Sequence, residues 1–598
     1  MFLNLDYAGV IKGNFRSIFM DKVMNVVIST HGSGGDIVPF VGIAHKLKLA
    51  GANVTFLVND VFREMLEFYD FNVIDISSKS QYLTFNGDSR IWSGKYDSTK
   101  IGFENILKPQ IEASYEYIAQ LEDKKNTLVI GIEPFFNGAL LAAKKFSMKS
   151  VYIYLWPKAI PSLLSPPAPI SWGIPNLAPK NFIAGYAMSI RQREAKYLQS
   201  QDYFWELNGF RRYNGLQVIK DLCTNQLFED NVLQIGLFPP WFGMPSQDWP
   251  INLNMVGFPD FKKTHKKIDL RSLDKFLLSN PKPIIFTSGT AVFDTENIFT
   301  VGRSVCESLG IPGVFVGGNK EFASEFVSDL CIHIEYADFD QLFPEASLIV
   351  HHGGIGTLSQ AIRAGVPQLI RPLSFDQPDN AQRIRKLGLG DYILPKNFKV
   401  KHVIKIIKKI FKSQMIKKKT SFFSHVTKRN SAIEYTCDLI EDYFHDKGKG
   451  YCSLLERAVN NNFVNDEKDY LEFIHKDERK KYRKHHEILA IKYFMNYYQV
   501  KTNINYLSTA IDKDFSLKKI ILTLDHFNIK TRALFCEAHQ LIELRLPCLI
   551  QWQHVRFVVL IGFNQREAII YDSLNEVQKI PFHVLSWCFS NIVVEVEN

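Results

Sequence analysis

No apolar run in the chain approaches the length that crosses a bilayer, and the N-terminus lacks a charged leader followed by a long apolar segment. No Cys-x-x-Cys pair occurs either. The cysteines (Cys223, Cys306, Cys331, Cys437, Cys452, Cys536, Cys548, Cys588) are scattered, which argues against a disulfide framework or structural zinc and for a reducing, cytoplasmic setting. A strong excess of one charge is lacking as well. Against 62 acidic side chains stand 71 basic ones, a net charge of +9, and no nucleic-acid partner is expected from so mild an excess. Core material is plentiful. With 46% hydrophobic and 22% charged residues over 598 positions, the chain suits three or four folded domains.

After a short extension (1–23), "MNVVIST" from Met24 reads as a buried strand, "HGSGGDIVP" as a turn, and "FVGIAHKLKLAG" as a helix. "NVTFLV" completes a β-α-β unit, so a parallel, doubly wound sheet follows. The pattern restarts at "KPIIFTSGT" and continues through "PGVFVGG", "CIHIEY" and "SLIVHHGG". Two α/β halves, 24–255 and 256–445, are therefore expected, each opening on a strand and a glycine turn. From Lys396 to Phe423 lysines alternate with an Ile/Val/Phe stripe at helical spacing. A basic helix of this kind can lie on an anionic membrane; a closing helix of the second half with a solvated lysine face is the preferred reading. Beyond Gly450 the rhythm changes. "PCLIQWQHVRFVVLIGF" and "EAIIYDSL" read as antiparallel strands of a third, α+β domain, 451–598.

The stretch "ASLIVHHGGIGTLSQAIRAGVPQLIRPLSFDQPDN" (Ala346 to Asn380) carries the chemistry. A strand that delivers glycines to a helix N-terminus gathers free backbone N–H groups at a positive dipole end, an anion site. Gly353, Gly354 and Gly356 permit close approach, Thr357 adds a hydroxyl, and His352 can donate to a phosphate oxygen. Asp376 and Gln377, one strand later, suit sugar hydroxyls. A diphosphate joined to a sugar fits the set; a tight turn with structural histidines is the alternative for "HHGG" taken alone.

The whole string resembles the nucleotide-sugar signature of the UDP-glycosyltransferases, in the branch of sterol and antibiotic glycosyltransferases, over about Met24 to Asp442. The resemblance implies the GT-B fold, two Rossmann-like domains facing a cleft, with donor on the second and acceptor on the first. It implies a UDP-sugar as co-substrate, no cofactor, no metal, and inversion at the anomeric carbon. His352 matches the phosphate-contacting histidine, with Gly354, Gly356 and Thr357 beside it; Gln360 stands at the ribose-binding position, usually glutamate. Asp376 and Gln377 match the sugar-binding pair, Gly289 and Thr290 the opposing diphosphate turn, and Tyr336 the aromatic against the base. After Tyr336 the family's Pro and His or Gln are replaced by Asp338 and Phe339. "HGSGGDIVP" resembles "GSxGDxxP", whose aspartate is the general base, so Asp36 takes that role with His31 as alternative or helper and Ser33 and Gly34 toward the donor. "DFD" (Asp338 to Asp340) has the spelling of a metal-binding D-x-D but falls where the family has an ordinary loop. Aromatic stretches ("EPFFNGALL", "YIYLWPKAIPSLLSPPAPISWGIPN", "DYFWELNGFRRYNGL") would line an apolar acceptor site, for a small molecule or a peptide.

The C-terminal segment resembles the papain-like peptidase domain with which peptide-exporting transporters clip leader peptides. His486 stands at the nucleophile's position, Lys480 at that of the oxyanion glutamine and Arg556 at that of the histidine; Asp572 alone is retained. Without a thiolate and its base the domain is expected to be inactive. It is left either to hold a peptide or leader or to brace the core. The expected function is sugar transfer to a hydroxyl-bearing acceptor. The rival is a non-catalytic scaffold built on the same domains.

Overall fold

The computed structural model describes residues 24–87, 103–160, 202–219, 232–318, 328–445 and 488–597. Breaks within these ranges fall at 133–135, 244–248, 251–252, 261–270, 289–294, 374, 429–431, 501–506, 508–516, 537, 553–555, 564–566, 573–575, 582–584 and 586–588. Three sheets organise it.

The first sheet holds β1 (Asn25–Ser29), β2 (Asn53–Asn59), β3 (Asn72–Ser77), β4 (Thr127–Ile132), β5 (Ser150–Tyr154), β6 (Leu233–Gly236) and β7 (Leu253–Met255), in the order β3-β2-β1-β4-β5-β6-β7. All its pairings are parallel, with Val26 opposite Val54 on one side and Leu128 on the other. Helices cover both faces, so the strands need apolar side chains on both, and every residue of β4 is buried. The second sheet holds β8 (Ile284–Thr287), β9 (Gly313–Val316), β10 (Cys331–Ile334), β11 (Leu348–His351), β12 (Gln368–Ile370) and β13 (Gly390–Tyr392), ordered β10-β9-β8-β11-β12-β13 and again parallel.

In each sheet the strand order reverses beside its first strand, between β1 and β4 and between β8 and β11. A crevice opens beyond the strand ends at such a switch point. Both glycine turns noted in the sequence, after β1 and after β11, lie there.

The halves share one apolar core. Phe238, Phe242 and Trp249 of the first pack in one cluster with Ile355, Leu358, Ile362, Ala381, Ile384 and Phe423 of the second. Trp241 lies with its ring centroid 4.4 Å from that of Phe423. Arg383 donates to the carbonyls of Phe242 (2.9 Å) and Gly243 (2.7 Å), and is held by Asp379 at 2.7 Å.

The lysine-rich stretch forms two helices, Val400–Lys412 and Gln414–Lys428, where the sequence suggested one, with Ser413 between them. Val403, Ile407 and Ile410 are buried against the second sheet, so the apolar stripe is already used and the lysines face water. No described helix is long and apolar enough to cross a membrane. The next helix, Ala432–Phe444, does not stay with the second sheet. Its Ile433, Cys437 and Ile440 pack beside Phe40, Ile43 and Leu47 of the first. Cys437 donates to the Ile43 carbonyl at 3.6 Å, and Lys149 donates to the carbonyls of Tyr443 and Phe444 at 3.1 and 2.8 Å.

The third sheet is antiparallel: β14 (Thr531–Phe535), β15 (Cys548–Trp552), β16 (Arg556–Phe563), β17 (Glu567–Asp572), β18 (Glu576–Pro581) and β19 (Phe589–Val596), ordered β14-β19-β15-β16-β17-β18. Alternation along the strands feeds two cores. Cys548, Ile550, Val558 and Leu560 face one side. Leu549, Phe557 and Val559 face the other, beneath a helix at 488–497 that contributes Ile491, Phe494 and Met495. Tyr493 of that helix stacks on Tyr571, centroids 3.8 Å apart. Arg556 opens β16 and Asp572 closes β17, while Lys480 and His486 lie outside the described residues.

Candidate active site

The first turn is built around a helix cap. Ser33 is the N-cap of helix Gly34–Leu49, its hydroxyl accepting from Gly35 N–H at 3.3 Å. Asp36 answers it. Its Oδ2 accepts from the backbone N–H of Ser33 at 2.5 Å and from the Ser33 hydroxyl at 3.0 Å, closing a capping box. Gly32, at φ +103°, must lack a β-carbon because Asp36 fills that space. Asn137 caps the helix after β4 and donates to the Ser29 carbonyl at 3.0 Å, pinning the strand ends together. Asp36 is thus held in one position at the cleft edge, a structural duty the sequence reading had not assigned it. His31 lies half-buried in the same turn.

The second turn separates two adjacent histidines. His351 is fully buried; its Nε2–H donates to Gln368 Oε1 at 2.9 Å and its Nδ1 accepts from Gly353 N–H at 3.1 Å. Burial first, and His352 second, push it down to about 3. It is a neutral brace for the loop, as the structural alternative expected. His352 is different. Its Nδ1 is buried with no hydrogen-bond partner among the described residues, and its ring lies over Gly354, where a β-carbon would meet Nε2. Burial lowers it to about 4, so the ring is a neutral imidazole near neutral pH. Helix Ile355–Ala364 begins here on Gly354 with no side-chain cap. Among the described residues, its first N–H groups therefore have no capping side chain.

The third turn follows β12. Asp376 precedes helix Gln377–Leu387, and Asn380 Nδ2 donates both to Asp376 Oδ2 (2.6 Å) and to the Gly353 carbonyl (3.0 Å), tying this turn to the histidine turn. Burial pushes Asp376 up to about 7, and the charge of Asp36 from the other half adds to it. Gln377 Oε1 accepts from Leu373 N–H at 2.8 Å, so that atom staples its own turn.

The two glycine turns face one another. A β-carbon on Gly356 would come within 4.0 Å of Gly35 Cα. Thr357 and Gln360 are half-buried on the same helix, and Ser33 and Gly34 are half-buried opposite. Tyr336, past β10, is 39% exposed, its hydroxyl raised by burial, then Asp338, then Tyr69 of the first half. The "DFD" motif has a local use: Asp338 caps helix Phe339–Leu342, accepting from Asp340 N–H at 3.0 Å. Gly289 and Thr290 lie outside the described residues. So does most of the aromatic stretch after β5; in helix Asp202–Tyr213, Phe204 and Leu207 are core while Trp205 is exposed.

Two residues the sequence reading passed over belong here. Asn380 is one. Lys158, in the turn Pro157–Ala159 just past β5, is the other, its Nζ reaching the Phe375 carbonyl at 2.7 Å. The only available signal was position: a polar residue beyond the C-terminal end of a parallel strand points toward the crevice.

Comparison with known proteins agrees with this architecture. Residues 26–154 match the glycosyltransferase family 28 N-terminal domain, 325–425 the erythromycin biosynthesis protein CIII-like C-terminal domain, and 480–598 the Peptidase C39 family. An O-mycaminosyltylonolide 6-deoxyallosyltransferase of Streptomyces fradiae is 22% identical over 62% of this chain and 86% of its own length. A vancomycin aglycone glucosyltransferase of Amycolatopsis orientalis is 24% identical over 61% and 85%. A sterol 3-beta-glucosyltransferase of Arabidopsis thaliana is 24% identical over 65% and 63%. Among solved structures, the calicheamicin glycosyltransferase superposes with a TM-score of 0.53 at 13% identity, covering 71% of this chain and 99% of that one. The chain is a glycosyltransferase of the GT-B fold, a relative of the antibiotic and sterol glycosyltransferases, that carries a Peptidase C39-type domain behind its two Rossmann-like halves.

Proposed function

We propose that the cleft binds a nucleoside diphosphate sugar, a UDP-sugar, and transfers the sugar with inversion and without metal or cofactor to a hydroxyl of an apolar or peptide acceptor. One observation carries this reading: two helix N-termini meet at the paired switch points, and the second has no side-chain cap. A diphosphate would complete the Ile355 helix, receiving its N–H groups, a bond from neutral His352, and the hydroxyl of Thr357. As the sugar–oxygen bond to the diphosphate breaks, negative charge grows on the leaving oxygens, where fixed donors stabilise it most. Asp376 would accept from the sugar hydroxyls. Asp36, aimed by its capping bonds, would take the acceptor's proton as the new bond to the anomeric carbon forms. His31 stands near as a helper, and Tyr336 would meet the base.

The C-terminal domain is read as a peptidase relative without its catalytic set, since Arg556 begins β16 where that family keeps histidine. It either holds a peptide acceptor or braces the core. Removing 451–598 separates these: a raised KM for a peptide acceptor with unchanged donor binding supports holding, and unchanged acceptor kinetics with lower stability supports bracing.

A UDP-sugar at saturating concentration should raise Tm by linkage. His352→Ala should weaken that binding by about tenfold, roughly one charge-assisted hydrogen bond. No shift with any nucleotide sugar would sink the donor-site reading.

Asp36→Asn keeps an oxygen for the Ser33 cap but removes the base. Transfer should fall by about 10²–10⁴-fold with donor affinity nearly unchanged. A parallel loss of donor binding or of folding would mark Asp36 as structural only.

The high pKa of Asp376 has a cost in the unliganded protein. The folded state retains a proton that the unfolded chain, with an ordinary aspartate, releases, so stability declines as pH rises from about 4 to about 7. Asp376→Asn should therefore raise Tm, most above pH 7 and progressively less toward pH 4, while weakening UDP-sugar binding. A Tm gain independent of pH would contradict the assignment.

A further inference from the structure

Lys158 sits in the first half, yet its side chain crosses the cleft. It is half-buried at the carboxyl end of β5, on the edge where the β1 and β4 strand ends also open. Its Nζ donates to the carbonyl of Phe375 at 2.7 Å. Phe375 is not an ordinary turn residue: it holds φ at +57°, a conformation that side chains with a β-carbon seldom adopt unless the surroundings impose it. The next residue is Asp376, whose carboxyl is fixed by Asn380 from its own helix. Among the described residues, the charged groups that act on Asp376 are Asp36, from helix Gly34–Leu49, and Lys158, from beyond β5; Asp36 opposes its ionisation and Lys158 favours it.

We propose that Lys158 is a positioning residue of the transfer site, its ammonium clamping the strained Phe375 carbonyl from across the cleft and so presenting Asp376 to the donor sugar. The clamp forms only when the two halves are together. It therefore ties sugar recognition on the second half to the presence of the first, while the diphosphate contacts, which come from the helix at Ile355 and His352, do not need it. This rests on the donor-site reading above.

Two consequences separate the clamp from a merely structural lysine. Lys158→Met should leave UDP affinity within about twofold of the parent while weakening UDP-glucose or another UDP-hexose that binds the parent by about tenfold, with Lys158→Arg recovering most of the loss. In the unliganded protein, losing the ammonium removes the charge that favours the carboxylate, so Asp376 ionises at higher pH. The decline of stability with rising pH then extends further up the scale.

The experiment is titration calorimetry with UDP and UDP-hexoses on the full chain, together with Tm against pH from 5 to 9 without ligand. Parent, Lys158→Met, Lys158→Arg, Asp376→Asn and the double variant Lys158→Met/Asp376→Asn are compared. The expected result is selective loss of the hexose increment, an upward shift of the pH limb, rescue by arginine, and no shift in the Asp376→Asn background. Equal loss of UDP and UDP-hexose binding, or a pH limb that does not move, would overturn the clamp. Should the parent bind no nucleotide or nucleotide sugar, the donor-site reading fails. The ligand-free pH limb still decides whether Lys158 acts on Asp376.

Discussion

Two carboxylates supplied by different halves, Asp36 and Asp376, act on one another across the crevice. Burial makes Asp376 hard to ionise, and the charge of Asp36 adds to the penalty. Much of the surrounding detail manages this conflict. The Ser33 cap fixes Asp36 at a helix N-terminus, whose dipole favours a negative charge. Asn380 holds Asp376 by its oxygen, and Lys158 contributes the opposing charge. Both histidines of the neighbouring turn are neutral and so add no charge of their own.

The same conflict explains why the fold and the site differ in how far they could be read from sequence. Runs such as "NVVIS" and "TLVIGI" belong to strands buried on both faces, and a strand of that kind writes its environment into consecutive residues. The glycine turns were legible because φ near +100° at Gly32 and Gly353 restricts the residue type. Of the two histidines, the family resemblance singled out His352, but the bracing role of His351 could not be read: its bond to Gln368 is made by β12 and not by its neighbours in the chain. Lys158 and Asn380 were invisible for a similar reason. Each acts on a partner fixed by tertiary approach, Lys158 across more than two hundred residues, and no local pattern records that.

The capping role of Asp36 is a related lesson. Ser-x-x-Asp at the start of a helix is a local signal, and it coincides here with the position a family resemblance assigns to the general base. The roles are compatible: a carboxylate that must meet a proton in a defined place benefits from being unable to swing. The "DFD" motif shows the opposite outcome, a pattern with catalytic spelling that serves as a cap for one short helix.

The return of helix Ala432–Phe444 to the first sheet has a consequence beyond cohesion. Because Lys149 grips the carbonyls of Tyr443 and Phe444, the polypeptide leaves the two-sheet body from the half proposed to receive the acceptor, although it has just threaded the half proposed to receive the donor. Whatever the terminal domain carries is thereby leashed to the acceptor side. A covalent join turns an encounter between two molecules into a search within one.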